Sequence, residues 1–574
     1  MRIRLPRPSV LIPLSALLLR LPANAQTGPD AVVIQGGTHI VLVNVVVKDK
    51  HGKPVADLRR DDFVLRDNGQ EQNIALFALE EAGGQATPVS SSRDRFTFTN
   101  RPPPNVPSVT AFLFDELNTK LADQQLAKKD FIRYLRGLPE DSRVAVFVLG
   151  DSLAMLHDFS QDMAALLAAV EKHANRPSPE VDAAAAPPAS SNSLTGDQTT
   201  TAQWDSFLQS AGQQYVDFTE TVRATRTAAA LETIAGHLQG IPGRKTLIWI
   251  SGGFPIQLGL HNSVDGIPQM NATGRSSSRG AGGRGGGGGG TGGGQSNATP
   301  RSSGPGLAAT EVPGTALSFE SDVARAIRAL NEADVAVYPV DARGVTVAAA
   351  FQADRSSNGS RTKPPKAFNG PDFNYETIDT LAVETGGQSF HHINDLSAAI
   401  QDATGDARVS YALAFAPPAG VLDGSYHKLE VAVHRPGVKV RYRPGYVAAP
   451  DAAVAPSLAE AIANPVALTG IGFSVHLEPV EGGYKASVTI DPRNITLQPK
   501  DGKWTGSLQF LVVVGKVEQL TTIPLNFSDA MFHQIQEKGL VLGARVKAPP
   551  GTTGFSLGFR DISSGMVGTL HVPL

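Results

Sequence analysis

SVTAFLFDELNTK, residues 108–120, is where this chain changes character. An apolar run through Ala111, Phe112, Leu113 and Phe114 ends on Asp115, and Glu116, Asn118 and Thr119 follow at once. A strand apolar on both sides belongs to a parallel sheet covered on both faces. The polar residues that end it put oxygen ligands at the sheet's edge. Asn118 or Thr119 can equally cap the helix that follows.

Working outward, Leu121 to Leu135 has helical periodicity and RVAVFVLGD (143–151) is a second apolar strand. Met163 to His173 and a long segment near 204–239 read as helices. Next come the strand KTLIWIS (245–251), a helix over 319–332 and the strand VAVYPVD (335–341). A helix over 375–384, the strand QSFHHI and a helix over 395–404 close the series. SYALAFAP, YHKLEVAVH and VKVRYRPGY (410–446) finish it with antiparallel strands. Apolar strands alternating with helices predict an α/β unit, a doubly wound and mostly parallel sheet.

Two β modules flank that unit. THIVLVNVVVK (38–48), the turn HGKP and FVLRDNGQEQNIALFAL (63–79), a hairpin about Asp67-Asn68-Gly69, form a small N-terminal one. Asp61, Asp62 and Asp67 lack the Asp-x-Asp-x-Asp-Gly spacing of a calcium loop and read as turn residues. From about 466, GFSVHLEPV, YKASVTID, GSLQFLVVV, GLVLGARVKA and TGFSLGFRD suggest a C-terminal sandwich. The expected boundaries are a β module over 32–100, the α/β unit over 105–450 and a β module over 460–574. Low-complexity insertions are expected near 176–202 and 256–316, and RPPPNVP (101–107) is a stiff linker.

The length of 574 residues suits three or four domains. Basic MRIRLPRP, apolar SVLIPLSALLL and the Ala23-Asn24-Ala25 motif read as a signal peptide cleaved after Ala25, so the chain is expected to be secreted or periplasmic. No later run is long enough for a membrane span. The chain has 51 basic and 54 acidic residues. That balance gives no reason to expect nucleic acid as a partner. With no cysteine there is no disulfide, thiolate metal site or Cys nucleophile.

Catalytic motifs are sparse. There is no H-E-x-x-H and no G-x-S-x-G. Gly280, Gly282 and Gly285 match a dinucleotide fingerprint only inside a long glycine-rich loop. His391-His392 lies in a predicted strand, where neighbouring side chains face opposite ways. GDSL (150–153) lacks a downstream Asp-x-x-His to activate Ser152.

The order of elements resembles a von Willebrand factor type A domain, closest to the exported VWFA-related proteins described from acidobacteria. DKHGKPVADLRRDDFVLRDNGQEQNIALF, FLFDELNT, IPGRKTLIWISGGFP, VAVYPVDARG and DGSYHKLEVAVHRPGVKVRYRPGYV carry the likeness, over roughly 38–448. It implies a secreted protein and a site for Mg²⁺ or another divalent cation, with ligands in Asp-x-Ser-x-Ser, a separate Thr and a Thr-Asp-Gly. Carried over, Asp115 matches the first Asp, Thr119 the second Ser and Thr227 the Thr. Leu117 replaces the first Ser, and Ser251-Gly252-Gly253 replaces Thr-Asp-Gly. The metal site is therefore degenerate, with Glu116, Asp151 and Asp341 as auxiliary carboxylates only if they turn inward.

The reading that results is a non-enzymatic, adhesion-type protein. It would bind an extracellular or envelope protein or glycan through the strand-end face. The alternatives are an exported hydrolase using Ser152, or an envelope assembly scaffold acting through its β modules.

Overall fold

The computed structural model describes residues 40–81, 96–101, 109–139, 142–160, 162–185, 198–254, 315–343, 375–393, 395–406, 408–417, 424–448, 457–548 and 551–574. The expectations for residues 1–25, for the linker beyond Arg101, for 186–197 of the first insertion and for 256–314 of the second lie outside them, while the first insertion holds a short helix, Pro179–Ala185.

Strands Val335–Asp341, Lys245–Ser251, Val109–Asp115, Val144–Leu149 and Leu153–Ser160 lie side by side in that order. The first four are parallel and the last is antiparallel, so the sheet is mixed. Alternation along the central strand divides the core. Val109, Ala111 and Leu113 pack under helices Gln198–Leu238, Thr315–Glu332 and Tyr375–Glu384. Phe112 and Phe114 pack under helices Leu121–Leu135, Met163–Lys172 and Leu396–Asp406. Helices thus cover both faces.

The edge strand Leu153–Ser160 was not legible in sequence. LAMLHDFS has no β-branched residue and follows its partner after a three-residue turn, so it carries no clear period. QSFHHI contributes a single bridge, Phe390 to Val340.

The chain leaves the central strand for Val144–Leu149 on one side and returns to Lys245–Ser251 on the other. Strand order reverses between Val109–Asp115 and Lys245–Ser251, and the crevice at their carboxyl ends is where such sheets hold ligands. Asp115 and Ser251 end those two strands.

The segment 409–447, expected to finish the α/β unit, pairs instead with the N-terminal strands. One sheet runs Val438–Arg441, Val41–Asp49, Val409–Phe415, Leu76–Glu81, and a second Gly445–Val447, Tyr426–Val433, Phe63–Asp67, Gln70–Gln72. Val43, Val45, Leu65, Tyr411, Leu413, Phe415 and Leu429 form their common core. Val41–Asp49 and Leu76–Glu81 do not pair with each other but each with Val409–Phe415, so the first segment cannot close its sheet without the later one. The Asn68-Gly69 turn joins two of these strands with both residues at positive φ, 49° and 79°. Asp67 accepts from His427 Nδ1 at 2.9 Å and from the Tyr446 hydroxyl at 3.0 Å, a structural role. Asp406, on a helix of the α/β unit, meets Lys48, Arg441 and the Tyr338 hydroxyl, tying the sandwich to that unit.

Thr97–Thr99 pairs with Phe473–Val480, so the chain crosses the boundary expected at residue 100. The C-terminal strands form two sheets around Phe473, Val475, Val488, Leu508, Leu557 and Phe559. They dock on helix Gln198–Leu238 through residues 464–470. There Thr469 N donates to Gly236 O, Gly240 N donates to Thr469 Oγ1, and the Thr469 hydroxyl donates to His237 O. A Cβ on Gly240 would stand 2.4 Å from Thr469 O. Gly240→Ala is therefore expected to cost about 1–3 kcal/mol, read as a lower urea midpoint.

Candidate functional site

Asp115 ends the central strand with a fully buried carboxylate, and Thr119 and Thr227 are equally buried. The structure does bring these three together, but through a fourth residue. Asn118 Nδ2 lies 3.0 Å from Asp115 Oδ1, 2.9 Å from Asp115 Oδ2 and 2.8 Å from Thr227 Oγ1. The carboxylate also accepts from Asn118 N at 3.0 Å, Trp249 Nε1 at 3.0 Å and Ser251 Oγ at 2.8 Å. The Thr227 hydroxyl donates to Arg223 O, and Thr119 Oγ1 accepts from Gly252 N at 2.7 Å. Burial pushes Asp115 above the usual carboxylate range, against the pull of these hydrogen bonds. Arg223, one turn before Thr227, is a buried guanidinium held below its ordinary value by burial, in the opposing field of Glu220, Asp115 and Glu180.

The capping role expected of Asn118 or Thr119 is corrected here. Helix Leu121–Leu135 starts from Lys120 with no side-chain cap. Both polar residues instead tie the end of the central strand to its neighbours, Asn118 to helix Gln198–Leu238 and Thr119 to the loop after Ser251.

None of the auxiliary carboxylates turns toward Asp115. Glu116 pairs with His173 Nε2 at 2.9 Å. Asp151 is exposed. Asp341 holds Arg343 through Nε at 2.8 Å and Nη2 at 2.9 Å, and accepts from the Tyr375 hydroxyl at 2.8 Å. Among the described residues no group of three or more His, Asp and Glu side chains is set for a metal ion. The residues do not fit a divalent cation in this arrangement. Every oxygen it would need already accepts a hydrogen bond, and the group at their centre is a donor, which cannot ligate.

Sequence reasoning missed Asn118, Trp249 and Ser251 as partners of Asp115. Ser251 was visible only as a departure from Thr-Asp-Gly, and Trp249 only as one apolar residue in a strand.

Ser152 is exposed in the turn before Leu153–Ser160. His157 stands five residues along that strand, about 17 Å away at the rise of an extended chain. His391 lies beyond Val335–Asp341, at the other edge of the sheet. It pairs through Nε2 with Asp379 at 2.5 Å.

His391 and His392 do not face opposite ways as expected. His392 has φ 53°, which turns the chain out of the strand, and both rings contact Tyr375, at 4.1 and 5.4 Å between centroids. Burial and the Asp341 carboxylate push the Tyr375 hydroxyl up to about 12. Burial raises the Asp123 carboxyl above its ordinary value, against the opposing field of Lys120 and Arg343.

No protein-family model matches the chain, and no curated protein does. Two solved structures are similar to it at a TM-score of 0.24 each. One is an aerotolerance-related membrane protein from Bacteroides fragilis, 12% identical, covering 52% of this chain and 98% of that one. The other is a von Willebrand factor type A protein from Catenulispora acidiphila, 10% identical, covering 94% of this chain and 75% of that one. At such scores neither likeness carries an argument about fold or function.

Proposed function

We propose that this chain is a non-enzymatic, exported interaction protein of von Willebrand A-like architecture. It docks an extracellular or envelope protein or glycan on the face formed by the carboxyl ends of its central sheet. The observation that carries the reading is how the crevice spends its polar groups. Asp115, Asn118, Thr119, Thr227 and Ser251 bond to one another and to Trp249, and none is left as a nucleophile beside a base. Around this closed floor stands a mixed rim of exposed Lys120, Asp151, Ser152 and His392, with half-buried Tyr375. A rigid floor with charged and aromatic groups at its edge suits recognition of a surface.

A second reading has its own observation. In the C-terminal sandwich, the edge strand Val517–Phe527 leaves Val517 62% and Leu520 58% exposed, which favours binding through that β module. One experiment separates the two. The full chain is screened against a glycan array and envelope extract, then compared with Lys120→Glu/His392→Asp and with Val517→Asp/Leu520→Asp. The rim pair is expected to weaken the captured interaction on the order of tenfold or more, with the sandwich pair unchanged. The reverse pattern moves the site to the sandwich. Ester or peptide turnover lost in Ser152→Ala would replace both readings with a hydrolase.

A further inference from the structure

We infer that the Asn118 carboxamide stands in for a divalent cation at the end of the central strand. The site is then closed to metal by this amide, and not merely weakened by a missing carboxylate.

The bonding around Asn118 is uneven in a way an ordinary buried amide avoids. Its NH₂ has two hydrogens but meets three acceptors, the two Asp115 oxygens and Thr227 Oγ1. Its own Oδ1 is buried with no hydrogen-bond partner. The opposite orientation would set a carbonyl oxygen against a carboxylate, so the donor end is held inward. An amide that leaves one end unpaired in order to place the other against three oxygens is acting as a small positive group in an oxygen nest.

The loop around it is closed in the same sense. A Cβ on Gly252, the position of the absent Asp, would lie 2.7 Å from Asn118 O and 3.2 Å from Thr119 Cα. The chain after Ser251 has settled onto residues 118–119, leaving no room for a side chain there. A second amide holds the same loop from behind. Gln124 Nε2 lies among Glu116 O at 3.1 Å, Thr119 O at 2.8 Å and Arg176 O at 3.0 Å, and its Oε1 is likewise unpartnered. Two side-chain amides therefore organise residues 116–119, each with its donor end among oxygens.

Shortening residue 118 would free Asp115 and Thr227 as oxygen ligands beside Ser251, with water completing a site for a hard divalent ion. No partner enters this inference, so it stands or falls apart from the docking function.

The test uses the full chain after chelator treatment, with MgCl₂ and MnCl₂ as probes in titration calorimetry and thermal melts. The unaltered protein is expected to show no binding heat and no melting shift. Asn118→Ser is expected to gain Mn²⁺ affinity on the order of tenfold or more, lost again in Asn118→Ser/Asp115→Ala. Mn²⁺ binding by the unaltered chain that Asp115→Ala abolishes would overturn the inference, as would a folded Asn118→Ser with no gain. Should Asn118→Ser not fold, two measurements decide. A folded Asn118→Ala must gain Mn²⁺ affinity that a further Asp115→Ala removes. The Asn118 side-chain NH₂ of the unaltered protein must be protected from hydrogen exchange. No metal gained by a folded Asn118→Ala, or an unprotected amide, would refute the idea.

Discussion

Asp115→Ala is expected to lower the unfolding free energy by about 3–5 kcal/mol. The carboxylate is 2% exposed and accepts from Asn118 N, Asn118 Nδ2, Trp249 Nε1 and Ser251 Oγ. Its removal leaves the Trp249 indole N–H buried with its acceptor gone, and the Asn118 amide facing Thr227 alone. Each buried donor so stranded costs about 1–3 kcal/mol. Asp115→Asn keeps the shape and one acceptor oxygen, and is expected to cost roughly half as much. The pH dependence has a definite sign. Burial raises the folded-state value of this carboxyl above its unfolded one, so the native state holds the proton more tightly. Its contribution is then fullest below the ordinary Asp range and declines as pH rises through the raised folded value. Urea titrations of the unaltered chain and Asp115→Ala should show a larger gap near pH 4 than at neutral pH. A gap that widens toward neutral pH would mean that the hydrogen bonds to the carboxylate outweigh the cost of burying its charge.

The second large effect sits at the opposite end of the sheet. Lys245 begins its strand almost completely buried, and its ammonium donates to Ile241 O at 2.7 Å. Burial pushes it down to about 8, against the opposing pull of Asp334 and Glu80. Below that value the folded protein carries the cost of a buried charge. From about pH 8 up to the unfolded value of 10.5 the unfolded chain holds more protons than the native one, so stability rises with pH across that window. The rise amounts to about 3 kcal/mol at full extent. Lys245→Met removes the charge and keeps the length of the stem. It is expected to stabilise the protein by about 1–3 kcal/mol at pH 7 and to abolish the alkaline gain. Urea midpoints across pH 7–10 measure both. A destabilised variant would mean that the bond to Ile241 O outweighs the desolvation of the ammonium.

Much of the α/β unit was legible because its elements announce themselves locally. Leu121–Leu135, Lys245–Ser251, Val335–Asp341 and Tyr375–Glu384 fall at the limits expected of them. Each carries an apolar period that needs no distant partner to be recognised. Leu153–Ser160 escaped because an edge strand is half solvated and LAMLHDFS lacks the residues that mark one. The partnership of Val41–Asp49 with Val409–Phe415 escaped for a different reason. Strand pairing across more than 300 residues leaves no trace in either segment's own pattern.

The candidate site divides along the same line. Sequence order by itself ended an apolar strand on Asp115, and only the resemblance set Leu117 and Gly252 where the family's pattern has ligands. Those are statements about residue type and position, which sequence carries in full. Only the tertiary structure decided that Asn118 turns back from its loop to fill the space between Asp115 and Thr227. A side-chain amide can cap a helix, face solvent or bridge two oxygens, and its rotamer is chosen by groups that arrive from elsewhere in the chain. Thr227 lies 109 residues further along, and Trp249 and Ser251 lie on a neighbouring strand. Their convergence exists only once the sheet has closed.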